Sequence, residues 1–475
     1  MSKNLNLTFY SDNDLEQIND NIDHIEADSL KTGYRLLDPN NEEYDKVRNI
    51  ILNFIKQQGR VVYGGSAYHN IIQKYRKDID SEKRIYPEWE RYDIEFYSPT
   101  PIRDLIMICN KLNDEGIKYV MGRQAQHDET FTVFANFLQY CDMSYMPRKI
   151  YDKIEFIEID GIKYIHPEMI LIDIFRMYND PLTSFWRLSK VFKRMKLLME
   201  KFPYDFKSVD PIKLVGDKDS KSIIDFVLPK LVDKYDKILF TGQLGYLVYT
   251  NPDKEFDTNK YLSEIELISD DPITIGKFIK SLTYQWAESN GHFKDYDDIF
   301  SIKFYSRFFQ YWDKRVIIYY KNKPVFTIIG SSGRCLPFNN STLKLNNKII
   351  DIKIGSFLVI FNYYFIGYHY CKIHEYSDDN YYYANRDIIN SLLTVRNNYL
   401  KDKDKTVLDS SIYKEFVIDC IGKTVEFSRE FLLRMSEKRA KGEKGLMTYD
   451  PNLNKGSYIE YEFEQSDGLE SSLEK

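Results

Sequence analysis

From residue 44 to residue 201 the chain switches repeatedly between helical and alternating hydrophobic periods. Val47, Ile50, Ile51, Phe54 and Ile55 recur near the helical spacing and predict a helix over 44–57. The apolar run Val61–Tyr63 then delivers Gly64, Gly65 and Ser66 into AYHNII, which predicts a strand, a tight glycine turn and a helix N-terminus. After a charged stretch, RYDIEFYS puts Asp93 and Glu95 on one face of a strand and Ile94 and Phe96 on the other. Ile102, Leu105, Ile106, Cys109 and Leu112 mark an amphipathic helix. Phe131, Val133, Ala135 and Phe137 alternate as a strand leading into QYCDMSYMP, where Asp142 stands between Cys141 and Met143. Asp160-Gly161 reads as the primed turn of a hairpin. An apolar helix follows His166-Pro167, and a basic one, SFWRLSKVFKRMKLLMEK, follows Pro181. In it Arg187, Lys190, Arg194 and Lys201 share a face, the most concentrated positive patch of the chain.

The second half repeats this order. KILFTGQLGY echoes RVVYGGSAY, and LSEIELISDDPITIGKFI echoes RYDIEFYSPTPIRDLI, so Glu264 and Glu266 stand for Asp93 and Glu95, and Ser269 for Ser98. VFTIIGSSGRCLP echoes NFLQYCDMSYMP with Ser332 in place of Asp142, and Gln243 replaces Ser66. Asn346-Asn347 returns as the hairpin turn. The pattern predicts an α+β chain of two related mixed-sheet domains, the second degenerate: a polar arm over 1–44, domains over 45–205 and 206–435, and a charged mobile tail over 436–475.

Composition adds limits. With 43% apolar and 29% charged residues, 39 Tyr and 30 Phe, the 475-residue chain reads as globular with a large aromatic core. Its net charge of −6 excludes a uniformly basic coat while leaving local patches open. The five cysteines are widely spaced, without a CxxC pair, and predict neither disulfides nor a zinc site, which fits a reducing compartment. The N-terminus lacks an apolar signal core, and the run 354–368 is shorter than the roughly 20 residues of a spanning helix, so no membrane partner is expected.

The carboxylates carry the candidate chemistry. Asp93 and Glu95, two apart on a strand, can bridge two divalent ions roughly 3.5–4 Å apart, and Asp142 can complete one of them. Gly64, Gly65 and Ser66 can bring backbone N–H groups and a hydroxyl to phosphates. Each piece alone has a bland reading, as a turn, a solvated strand face or a solvated helix face; their order makes the signal. Asp78-Ile79-Asp80 is a competing pair, but YRKDIDSEKR is too charged for a central strand.

GGSAYHNII, RIYPEWERYDIEFYSP, DMSYMP and the following IHPE resemble the catalytic subunit of poly(A) polymerases of poxviruses and related large cytoplasmic DNA viruses, in the DNA polymerase β-like nucleotidyltransferase superfamily. The resemblance implies a catalytic nucleotidyltransferase fold followed by a degenerate copy, and template-independent addition of AMP from ATP to mRNA 3′ ends with Mg²⁺ or Mn²⁺. It implies metal-holding roles for Asp93, Glu95 and Asp142, and nucleotide contacts for Gly65 and Ser66. Gly64, Arg187, Lys190 and Arg194 join the candidate nucleotide and RNA contacts. It also implies a virion and host-cytoplasm setting, with a homodimer or a viral partner subunit. Two positions depart from the pattern: Glu95, where relatives tend to carry Asp, and Tyr92, where proline is common. Two other readings stay open at this point, a non-catalytic RNA-binding paralogue and a nucleotidyltransferase acting on a protein or small molecule.

Overall fold

Val61 and Val62 are almost inaccessible to water, as expected of a strand covered on both faces. The computed structural model describes residues 9–471 except 76–85, 87–89, 128, 181, 215, 253–255, 258–261, 346–347, 377–381, 423–426, 443–446, 457–458 and 460. Asp78 and Asp80, and the turn Asn346-Asn347, therefore lie outside the described residues.

The first sheet is built from β1 (Val61–Tyr63), β2 (Ile94–Ser98), β3 (Met121–Gln124), β4 (Thr130–Ala135), β5 (Leu138–Tyr145), β6 (Phe156–Ile159) and β7 (Ile162–Ile165). The second holds β8 (Leu239–Thr241), β9 (Phe256–Asp257), β10 (Ile265–Ser269), β11 (Phe300–Tyr305), β12 (Arg315–Tyr320), β13 (Lys323–Gly330), β14 (Leu336–Leu345), β15 (Lys348–Gly355) and β16 (Cys420–Ile421). The last strand, β17 (Thr448–Tyr449), returns to the edge of the first sheet beside β3.

The sheet orders are β17-β3-β4-β5-β2-β1-β7-β6 and β11-β12-β13-β10-β8-β15-β14-β16, with β9 beside β14. Position by position, β11-β12-β13-β10-β8-β15-β14 repeats β3-β4-β5-β2-β1-β7-β6. The strand senses agree as well. β1 runs antiparallel to β2 and parallel to β7, as β8 does to β10 and β15. The duplicated order seen in the sequence is thus a duplicated topology.

Local signals set the elements. The helix Asn41–Gln58 starts where the Asn40 side chain accepts from the Glu43 N–H and stops at Gly59, whose φ of 61° suits the left-handed cap. It buries Tyr44, Val47, Ile51, Phe54 and Ile55. The helix Pro101–Asp114 is tied to the end of β2 by a buried fork: Arg60 donates to both Asp104 oxygens, at 2.6 and 2.8 Å, and Ser98 Oγ donates to the same carboxylate at 2.5 Å. Asp160 and Gly161, with φ of 53° and 82°, form the expected primed turn between β6 and β7.

Contacts divide the chain into two compact units, one of 1–144, 158–164 and 444–461, the other of 145–157, 165–443 and 462–475. Several expectations differ from this. The N-terminal arm carries the helix Asp12–Leu36, started by a Ser11–Asp14 capping box; none of its residues is buried, which is why its polar composition hid it. The tail is not simply solvated: Tyr449 is fully buried and donates to Asn110 Oδ1 at 2.6 Å, and Ser466 and Asp467 are buried in the second unit. Phe137 is a turn residue, 79% exposed, rather than part of β4. Cys335 and Cys420 form a disulfide, contrary to the reading of the cysteine spacing. The pairing of β14 with β16 brings together two residues that are 85 apart in sequence. Cys109, Cys141 and Cys371 are buried and take no part in a disulfide among the described residues. No helix among the described residues is long and apolar enough to cross a membrane; the run 354–368 lies largely in the helix Phe357–His374, most of which is buried.

Candidate active site

β1 ends at Tyr63, and Gly64 turns the chain into the helix Gly64–Tyr75 with φ of 64°. A Cβ at Gly64 would lie 1.8 Å from Glu95 Oε2, so only glycine fits both the conformation and the space. The Gly65 N–H donates to that same oxygen at 2.7 Å. Register explains the meeting, since Tyr63 pairs with Glu95 across β1 and β2. The predicted phosphate cradle and the predicted metal carboxylate are therefore in direct contact, with Glu95 occupying the positive end of the helix. Ser66 is buried, 2% exposed, and its hydroxyl donates to the Tyr63 carbonyl at 3.4 Å.

Asp93 precedes β2, and Asp142 lies on β5, the next strand in the sheet. Gln139 Nε2 reaches both carboxylates, Asp142 Oδ2 at 3.0 Å and Asp93 Oδ2 at 3.4 Å. Thr132, cross-strand partner of Asp142, donates to its Oδ1 at 2.6 Å. Burial, reinforced by the Asp93 charge, raises the Asp142 pKa to about 6 despite the Thr132 and Gln139 hydrogen bonds. Beside them, Tyr63 stacks on Tyr97 and its hydroxyl shares a hydrogen bond with Ser144 Oγ at 2.8 Å. Gln139 and Thr132 were missed in the sequence; Thr132 follows from the β4–β5 register, which the structure supplies.

Tyr92 has a reason to differ from proline: its N–H donates to the Tyr44 hydroxyl at 3.1 Å, and Arg48 lies 4.0 Å over its ring. The structure thus joins Asp93, Glu95, Asp142, Gly64, Gly65 and Ser66 within the first unit. Arg187, Lys190 and Arg194 belong to the second unit, on and just before the helix Leu188–Lys201, and Arg187 stacks over Trp186 at 4.4 Å.

The second copy corrects two sequence matches. Thr241 pairs with Glu266 as Tyr63 does with Glu95, Gly242 has φ of 56°, and the Gln243 N–H donates to Glu266 Oε2 at 2.8 Å. Gln243 therefore corresponds to Gly65, and Leu244 to Ser66. The β4–β5 and β12–β13 hairpins share their turns, with positive φ at Asn136 and Phe137 and at Lys321 and Asn322, and the same register slip. That alignment places Thr327, not Ser332, at the Asp142 position. Thr327 donates to Glu264 Oε1 at 2.5 Å, and Tyr363 to Glu266 Oε1 at 2.9 Å. Burial and the neighbouring Glu266 push the Glu264 carboxyl well above the usual range. The second copy has converted its acid pair into a buried hydrogen-bonded core.

A family model described as "Poly(A) polymerase catalytic subunit" matches residues 49–184, and one for the C-terminal part of the mimivirus ("APMV") subunit matches residues 284–468. A relative from Acanthamoeba polyphaga mimivirus, provisionally named a poly(A) polymerase catalytic subunit, is 30% identical over 467 residues, which is 94% of this chain and 78% of that protein. The chain belongs to the poly(A) polymerase catalytic subunit family. A similarly named relative from African swine fever virus is 28% identical over 209 residues, 42% of each chain. The crystal structure of the Megavirus polyadenylate synthase is similar with a TM-score of 0.84 and 29% identity, covering 100% of this chain and 95% of that one.

Among the described residues no three carboxylate, His or Cys side chains stand close enough to hold one ion as they are. The donor set nevertheless suits a divalent cation. Asp93 and Asp142 face one another across a single neutral amide, and burial, with a smaller contribution from the Asp93 charge, holds the Asp142 carboxyl above the usual range.

Proposed function

We propose that this family member extends RNA 3′ ends with AMP from ATP, without a template, using Mg²⁺ or Mn²⁺ held by Asp93, Glu95 and Asp142. The observation that carries the reading is the pair Asp93 and Asp142, joined through Gln139 on neighbouring strands beside the Gly64–Gly65 helix start. When bound, divalent ions neutralise the triphosphate and lower the pKa of the attacking hydroxyl.

The protein groups do the positioning. Asp93 and Asp142 would hold the cation where the Gln139 amide now joins them, and Thr132 keeps Asp142 oriented through its Oδ1. Glu95 would add its carboxylate to the cation, and the Gly65 N–H and helix end that it contacts would then receive the nucleotide phosphates. The carboxylate acts as a placeholder for the phosphate. Arg187, Lys190 and Arg194 supply positive surface for the RNA backbone, with Trp186 exposed for base stacking.

The test is extension of a short RNA primer with each of the four nucleoside triphosphates and Mg²⁺ or Mn²⁺. Wild type should incorporate AMP in preference, and Asp93→Ala or Asp142→Ala should lose at least about a thousandfold in rate. Extension by either variant at the wild-type rate would overturn the assignment.

A further inference from the structure

The second unit holds a cavity of about 80 Å³, partly open to solvent, on the glutamate-bearing face of its sheet, between Ile268 of β10, Ile329 of β13 and the helix Phe357–His374. Aliphatic side chains make much of its wall, yet three polar groups of its lining residues lack a hydrogen-bond partner among the described residues. Asn362 Oδ1, Trp312 Nε1 and the Tyr311 hydroxyl are buried without a hydrogen bond to any of the described residues, and their residues are only 5%, 4% and 6% exposed. Burying such groups unpaired is costly, and three of them along one cavity point to an occupant that pairs with them.

The charges identify its class. Arg176 and Arg334 both line the cavity. Arg176 is paired with Asp173 at 2.8 Å, whereas among the described residues the Arg334 guanidinium has no hydrogen-bond or ion-pair partner. Burial, and next the Arg176 charge, lower the Arg334 pKa to about 9, with Asp180 and Asp173 opposing. The Asp313 carboxylate at the rim is engaged elsewhere, by the Lys314 and Ser332 N–H groups at 2.7 and 3.0 Å.

We propose that this cavity binds inorganic phosphate between the Arg176 and Arg334 guanidinium groups, with Trp312 and Tyr311 donating to its oxygens. Asn362 Oδ1 accepts the proton that phosphate carries near neutral pH, which sulfate lacks. The volume of about 80 Å³ suits the free ion, and comparison with AMP separates it from a nucleotide. The site stands on the second unit alone and does not depend on the polymerase reading.

The test titrates full-length, metal-free protein with inorganic phosphate at constant ionic strength in chloride. Trp312 emission, isolated by difference from Trp312→Phe, is expected to change saturably, and phosphate should raise Tm by about 2 °C relative to chloride. Arg334→Gln and Asn362→Asp should each weaken phosphate binding at least about tenfold. The near-isosteric Asn362→Asp decides the matter if Arg334→Gln does not fold. A wild-type protein with no saturable response, or variants titrating like wild type, would overturn the site. Sulfate binding as tightly as phosphate would overturn the phosphate assignment, and AMP binding more tightly than phosphate would overturn the free-ion assignment.

Discussion

Asp142 concentrates the electrostatics of the catalytic face. Its carboxyl binds a proton more tightly when folded, at about 6, than at the ordinary value of 3.8. Its contribution to stability is therefore fully present below pH 3.8 and is lost as pH rises through 6. Asp142→Asn is expected to stabilise the metal-free protein at pH 8 relative to pH 4, by about 1–2 kcal/mol after allowance for partial exposure, as read by denaturant unfolding at the two pH values. Protons and cations compete for the same oxygens, so primer extension should fall about tenfold per pH unit on its acid side, and more Mn²⁺ should move that limb to lower pH. At Glu95 the separation of roles is testable. Glu95→Gln keeps an acceptor for the Gly65 N–H and should unfold within about 1 kcal/mol of wild type, while its extension rate drops at least about a hundredfold.

Among elements, the glycine turn matters twice. Gly64→Ala would place a Cβ 1.8 Å from Glu95 Oε2, and Gly242→Ala would place one 1.5 Å from Glu266 Oε2, each at a left-handed φ. Both should destabilise by about 2–4 kcal/mol in chemical denaturation. Gly64→Ala should also abolish extension, because it displaces the carboxylate from the site. The tail strand offers a second check: Tyr449→Ala removes a fully buried ring and its bond to Asn110, and should cost about 3–4 kcal/mol. A tail without structural weight would tolerate that change.

For the whole molecule, the duplication is the organising fact, and the two copies have been put to different uses. One keeps acids around a neutral amide; the other buries Glu264 and Glu266 under Thr327 and Tyr363. The Cys335–Cys420 bond closes a long loop within the second copy. Thiol titration of denatured, unreduced protein should count three cysteines rather than five, and reduction should lower Tm.

How much of this was legible in the chain depends on the range of the interaction. The helix over the forties and fifties, the IEFYS part of the strand predicted over 91–98, the primed turn at Asp160-Gly161 and the glycine helix start follow from periodicity and local backbone preference, so sequence alone determined them, along with the order that exposed the repeat. The third carboxylate was visible because it sits at a strand position inside a recognisable motif. What only the tertiary structure decided are pairings between distant segments. These are the Glu95 oxygen on the Gly65 N–H, the Gln139 amide between Asp93 and Asp142, and Thr327 rather than Ser332 opposite the second acid pair. To them belong the cysteine bridge and the burial of Tyr449. Register across strands and loop closure over tens of residues set these contacts, and neither leaves a periodic trace in one sequence.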